Sequence, residues 1–236
     1  MIATFINCAA VIVGALIGFF FHKKISESMK TVVYIGAGLI AFVLGLKMAF
    51  EGNRIVFLAF SLILGGILGE WWNIEGGILS FGAFLKKRFS PGDSEKDFSY
   101  AYLDASVIFC VGAMTLVGAF KAGAEGNYEL ILTKSVLDGF MAIILSAAMG
   151  IGVAFSALTI LIYQGGLTLL SGLIQPYMSA PLLAELTGIG GTLVIMIGLN
   201  LLGLSKIKTA NFLPAILLIL VFLGVESAIP PGFLKF

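Results

Sequence analysis

Charge is what this sequence has least of. Only 11% of its 236 residues are Asp, Glu, Lys or Arg, against about 25% in a soluble domain. So few charges cannot clothe a water-facing surface, which excludes a soluble globular fold. Cysteine is scarce too. Cys8 and Cys110 are the only two, both inside apolar runs, and they form neither a metal-spaced nor a disulfide-framework pattern. His22 is the single histidine and stands beside Lys23 and Lys24. A metal site needs several convergent ligands, so His22 reads as an edge residue, and neither metal nor cofactor is expected. The sequence has no Ser/His/Asp set, HExxH, CxxC or phosphate loop, so an enzyme is not expected. A net charge of +1 offers no electrostatic footprint for nucleic acid.

What is present is long apolar sequence. The chain is 59% hydrophobic, with a mean hydropathy of +1.09. Its runs of about 20 apolar residues match the length needed to cross roughly 30 Å of hydrocarbon. A transmembrane barrel would show alternating segments of about 10 residues instead. The expected class is an all-α polytopic protein surrounded by membrane lipid.

Eight spans are expected, over 3–21, 31–49, 55–72, 102–120, 134–155, 157–176, 186–203 and 211–228. The run 134–176 is too long for one crossing and is cut near Ser156. The opening "MIATFINCAAVIVGALIGFFFHKK" has no positive charge before its apolar core, so it reads as a retained first span rather than a signal peptide. Cytoplasmic loops are enriched in Lys and Arg. With both termini outside, the inner loops hold nine such residues and the outer segments five. Without the cut the balance is eight against six. Residues 73–89 place Ile74, Ile78, Phe81 and Leu85 on one helical face, as expected of a helix lying in the cytoplasmic interface. "SPGDSEKDFS" after it reads as a linker.

The chain forms a single membrane domain over 1–236 with internal organisation. "FINCAAVIVGALIG" (5–18) aligns with "IYQGGLTLLSGLIQ" (162–175), bringing Asn7 onto Gln164. "GLIAFVLGLK" (38–47) aligns with "GTLVIMIGLN" (191–200), bringing Gly45 onto Gly198 and Lys47 onto Asn200. "LGE" ending at Glu70 aligns with "LGVE" ending at Glu226. The three matches keep their order at offsets of 153 to 157. They divide the chain into a unit over 3–72, an interfacial helix and linker over 73–101, two connecting helices over 102–155, and a second unit over 157–228. Spans 1–3 correspond to spans 6–8. The offset of five helices is odd, so the units run in opposite senses, as in transporters that hold their substrate at the repeat interface.

Intramembrane polar groups face a cavity or a partner. Asn7 and Gln164 form a candidate amide pair. Asp138 reads either as a coupling charge for H⁺ or Na⁺ or as an edge residue paired with Lys134. Asp104 carries the same ambiguity at the inner end of span 4. Glu70, before Trp71 and Trp72, reads as an interfacial anchor or a path residue. Asn200 lies inside span 7. Asn211, three residues before Pro214, reads as a helix cap or as part of an anion-binding helix start.

These residues fall within motifs that resemble domain-of-unknown-function family 554. The resemblance covers nearly the whole chain through "FINCAAVIVGALIG", "LGGILGEWWNIE", "FCVGAMTLVGA", "KSVLDG", "YQGG" and "NFLPA". It implies a bacterial cytoplasmic membrane protein, sometimes labelled a candidate transporter, and supplies neither substrate nor site. The leading expectation is a small secondary transporter for a small polar or ionic solute. Asn7, Gln164, Asp138, Asn200, Asn211 and Glu70 are its candidate site residues, set around a wet central hollow. A channel and a non-transporting scaffold are the alternatives. The small size and glycine-rich faces permit a homodimer.

Overall fold

The structure, a computed structural model, describes residues 1–22, 26–89, 95–110, 113–174 and 179–228. Its regular structure is helical, with no strand among these residues. The elements are α1 (Ile2–His22), α2 (Glu27–Ala49), α3 (Ile55–Trp72), α4 (Ile74–Phe89), α5 (Glu95–Cys110), α6 (Ala113–Phe120), α7 (Glu129–Met149), α8 (Gly152–Leu169), α9 (Ser171–Ile174), α10 (Ala180–Leu201) and α11 (Pro214–Ala228). Seven helices are long and apolar enough to cross a membrane, and an eighth crossing is possible if the α5–α6 pair, bent by 60°, is one span. Large apolar side chains such as Phe5, Ile63, Ile67 and Leu217 are exposed, as lipid-facing residues are.

Local chemistry sets the boundaries. Ser26 accepts from the Met29 N–H at 3.3 Å and opens α2. Ser179 accepts from Leu182 N–H at 3.3 Å, and Pro181 follows in the first turn of α10. Asn73 takes a left-handed φ of 49° and ends α3. The cut between α7 and α8 falls at Gly150, whose φ is +91°, rather than near Ser156. Only glycine adopts that conformation without strain.

Three expected starts move toward the N-terminus, two of them because the helix takes in a buried charged residue. α7 begins at Glu129, because Lys134 lies inside the packing against Asp138. α10 begins at Ala180 and carries the buried Glu185 in its second turn. The expected linker over 90–99 is shortened because helix resumes at Glu95; its part over 90–94 lies outside the described residues, as do 175–176 of the sixth expected span.

The helices pack through small residues, as apolar bundles in lipid do. A Cβ on Gly14 would meet the Gly139 carbonyl, and one on Gly18 the Ile143 carbonyl. Positions therefore rise together along α1 and α7, so the two helices are parallel. Three further pairings are antiparallel. α1 meets α8 through Thr4 with Gln164 and Cys8 with Ala157. α2 meets α10 through Gly45 with Gly191 and Gly38 with Gly198. α3 meets α11 through Gly65 with Ala215 and Gly69 with Asn211. α5 runs parallel to α8: Gly152 lies against Phe98, and Thr159 bonds Tyr102 and Ser106 at 3.0 Å each. If every long apolar helix crosses, α1 and α7 are parallel only when the bent α5–α6 pair also crosses. That parity gives eight crossings with both ends on one side.

Candidate functional site

The amides of Asn7 and Gln164 meet directly. Asn7 Nδ2 donates to Gln164 Oε1 at 3.0 Å and to Asp138 Oδ2 at 3.1 Å. Gln164 Nε2 donates to Thr4 Oγ1 at 3.3 Å. The Lys134 ammonium donates to the same Asp138 oxygen. Helices α1, α7 and α8 thus share one polar cluster in the apolar core. The i, i+4 pairing of Lys134 and Asp138 is present, but both residues are buried, at 6% and 8% exposure. Asp138 is therefore packed inside the bundle beside its lysine.

The cluster is dry. Asn7 and Gln164 are each 0% exposed and line none of the cavities described here. The expected wet hollow between the amides is absent from this conformation, because the amides fill the space with each other. Beside them, a 540 Å³ groove between α1 and α8 is lined by apolar side chains such as Phe5, Ile12 and Phe155. A second apolar pocket of 280 Å³ lies between α5 and α8, around Tyr102, Thr159 and Tyr163.

The polar cavity lies elsewhere. A partly open cavity of about 330 Å³ lies among α2, α4, α5 and the loop after α10, with Glu75, Asp97, Tyr100, Asp104, Lys206 and Lys208 in its wall. Asp97 and Asp104 are seven residues apart on α5, about 10 Å along a helix, so the cavity reaches inward from a polar rim. Asp104 is 6% exposed at its inner end.

Of the remaining candidates, Asn200 lines this cavity, while Asn211 and Glu70 bond residues of its wall. Asn200 faces the cavity and clamps its loop, donating to the Ile207 carbonyl and accepting from the Ile207 N–H, both at 2.8 Å. Asn211 sits in a 3-10 turn, Thr209–Phe212. Its side chain accepts from the Glu75 N–H at 2.8 Å and donates to Glu70 Oε2 at 2.6 Å. It therefore caps α4 rather than its own helix. Glu70 also takes the Lys208 ammonium at 2.5 Å, which holds the Lys208 pKa above its ordinary value. The Glu75 carboxylate accepts from the Ala210 N–H at 3.2 Å. Burial pushes the Glu75 pKa up, against the opposing pull of that N–H and of Lys208.

A similar arrangement closes the other end of the α3–α11 pair. Arg54 Nε donates to Glu226 at 2.7 Å. Glu185, 1% exposed, accepts from the Asn53 and Arg54 N–H groups at 2.8 and 3.1 Å. Each end thus has a basic residue before one helix, a glutamate closing its antiparallel neighbour, and a buried glutamate receiving the backbone N–H groups at the helix start. Sequence reasoning missed Glu75, Glu185 and Arg54. Glu185, alone in the apolar "PLLAELTGIGG", was the available signal.

Residues 2–223 match the family described as Protein of unknown function (DUF554). The chain belongs to that family. It is 31% identical over 222 residues to the Uncharacterized membrane protein YdfK of Bacillus subtilis (strain 168), covering 92% of this chain and 93% of that protein. It is 27% identical over 223 residues to the Uncharacterized protein YqgA of Escherichia coli (strain K12), covering 92% of this chain and 94% of that one. No solved structure matches the chain. This DUF554 protein is a membrane protein, and the alignments extend through both the amide cluster and the acidic cavity.

Proposed function

We propose that this DUF554 protein is a small secondary transporter, coupled to H⁺ or Na⁺, that moves a small polar or cationic solute across the bacterial cytoplasmic membrane. The acid-walled cavity serves as its vestibule. That cavity is the observation that carries the reading. Three carboxylates, Glu75, Asp97 and Asp104, share its wall with two lysines, and Glu70 engages one of these. Carboxylate groups outnumber ammonium groups in the wall, and oxygen donors suit a cation or an amine. A carboxylate at the buried end of a polar cavity in a membrane protein marks an ion or solute path. On this reading the protein has no enzymatic activity, and its termini face outside.

The packing supports an inverted repeat. An interface between two-fold-related partners is self-complementary: if i touches j′, then j touches i′. At the α2/α10 offset of 153, Gly38 corresponds to Gly191 and Gly45 to Gly198. Gly45 lies against Gly191 and Gly38 against Gly198, which is that pattern. Asn7 meets its own counterpart, Gln164, as a residue on the axis must. The two ends, Glu70 with Lys208 and Glu226 with Arg54, are the corresponding closures.

A scaffold role is the second reading, favoured by the dry amide cluster, which as internal glue needs no solute. Side-specific labelling separates the two. An Asp104→Cys substitution is made in a Cys8→Ala, Cys110→Ala background and treated with a membrane-impermeant thiol reagent in oriented vesicles. The carrier predicts labelling from the Lys206-bearing side. A residue that labels from neither side favours the scaffold, and equal labelling from both sides indicates a channel.

A further inference from the structure

We infer that the α1–α7–α8 cluster is a monovalent-cation site whose place is held in this conformation by the Lys134 ammonium and the Asn7 amide. Four side chains bring oxygens to the cluster: the Asp138 carboxylate, Gln164 Oε1, Asn7 Oδ1 and Thr4 Oγ1. Oxygen donors suit hard cations. Asn7 Nδ2 sits between two of them, 3.1 Å from Asp138 Oδ2 and 3.0 Å from Gln164 Oε1. A small cation would draw on the same two acceptors.

The amide orientation is set by its neighbours. A carboxylate accepts only, so the nitrogen of Asn7 must face Asp138. Asn7 Oδ1 is left fully buried with no hydrogen-bond partner, on a residue that is 0% exposed. A buried acceptor without a donor is costly, and such groups are few in native proteins. Turning the amide by half a revolution exchanges donor for acceptor and brings Oδ1 between the other two oxygens. A cation seated among the three oxygens would relieve their unfavourable contact. The orphan oxygen is therefore the missing ligand of the cation-loaded state.

Lys134 supplies the complementary half. Its ammonium is a tethered monovalent cation on the Asp138 oxygen that the entering ion would use. The two compete for one carboxylate: while the ammonium is in place the site is closed, and when it is withdrawn Asp138 needs another cation. The nearby Cys8 thiol donates to the Ala157 carbonyl at 3.4 Å and is a softer group, poorly matched to such an ion. This site rests on the carrier function proposed above, for which it would bind the coupling ion. Its test measures binding without flux, so either claim can fail alone.

The experiment is thermal unfolding of the purified full chain in NaCl and in choline chloride at equal ionic strength. Lys134→Ala removes the competitor. It should gain Na⁺-dependent stability, with Tm rising by about 5 °C at saturating NaCl. Wild-type protein should show a smaller rise. Lys134→Ala with Asp138→Asn should show none while still eluting as a single folded species. An equal Tm in both salts for Lys134→Ala, or failure of that variant to fold in either salt, overturns the assignment. So does a shift that survives Asp138→Asn.

Discussion

Asn7 and Gln164, 157 positions apart, are joined by a 3.0 Å hydrogen bond at the contact of α1 with α8. Each lies at the corresponding place in one of two aligned segments. Their contact ties the internal repeat to the polar centre, and it is direct rather than bridged by a cavity. Replacing Asn7 by Leu should destabilise the protein by about 1–3 kcal/mol, because Gln164 Oε1 and Asp138 lose a donor in a buried site. A double-mutant cycle of Asn7→Ala and Gln164→Ala in thermal unfolding should return a coupling of about 0.5–2 kcal/mol. Additive effects would mean that the two amides do not act together.

The α2–α10 seam makes a sharper packing prediction. A Cβ on Gly191 would come within 2.3 Å of Ala49 N, and one on Gly45 within 2.7 Å of Ile195 N. Backbone atoms cannot yield as side-chain tips do. Gly191→Ala and Gly45→Ala should each cost about 1–3 kcal/mol or more. Gly36→Ala, with nothing within 4 Å, should be neutral or stabilising by up to about 1 kcal/mol. Thermal unfolding of the three variants checks the contrast.

Glu75 predicts a pH dependence. Its folded pKa is raised, chiefly by burial, so the folded state holds the proton more tightly than the unfolded state. Its contribution to stability is present below the ordinary glutamate range and is lost as pH rises through the raised folded value. Glu75→Gln keeps an acceptor for Ala210 N–H and removes the titration. The variant should lose less stability than wild type between acid and neutral pH. Parallel pH profiles for the two proteins would contradict this assignment.

Asn211 binds two elements at once, accepting from Glu75 N–H and donating to Glu70. Asn211→Ala should cost about 1–3 kcal/mol and loosen the start of α4. Lys208→Met removes an exposed partner of Glu70 and should change stability far less. Hydrogen exchange at the α4 backbone, faster in Asn211→Ala and near wild type in Lys208→Met, is the measurement.

Much of the helical framework was legible because long apolar runs leave the backbone no other way to satisfy itself in lipid. Asn7 and Gln164 could be paired because their segments align with a common glycine pattern. The role of Asn211 was not legible, since it caps a helix more than a hundred residues earlier in the chain and only tertiary contact reveals that. Lys134 was read as an edge because a lysine ordinarily ends a span; its partner at i+4 buries it instead. The acidic cavity was scattered over Glu75, Asp97 and Asp104 and had no local motif. The wet centre was inferred from polar residue type alone, which does not distinguish amides that bind a solute from amides that bind each other.

Solute flux into proteoliposomes tests the carrier account most directly. A panel of small inorganic cations and amines is offered to wild type, Asp104→Asn and Asp138→Asn under imposed H⁺ and Na⁺ gradients. The account predicts slow, saturable, gradient-driven uptake of at least one cation by wild type and at least a tenfold loss in both variants, about 1.4 kcal/mol in the limiting step. Absence of flux for the whole panel, or wild-type flux in both variants, would contradict it.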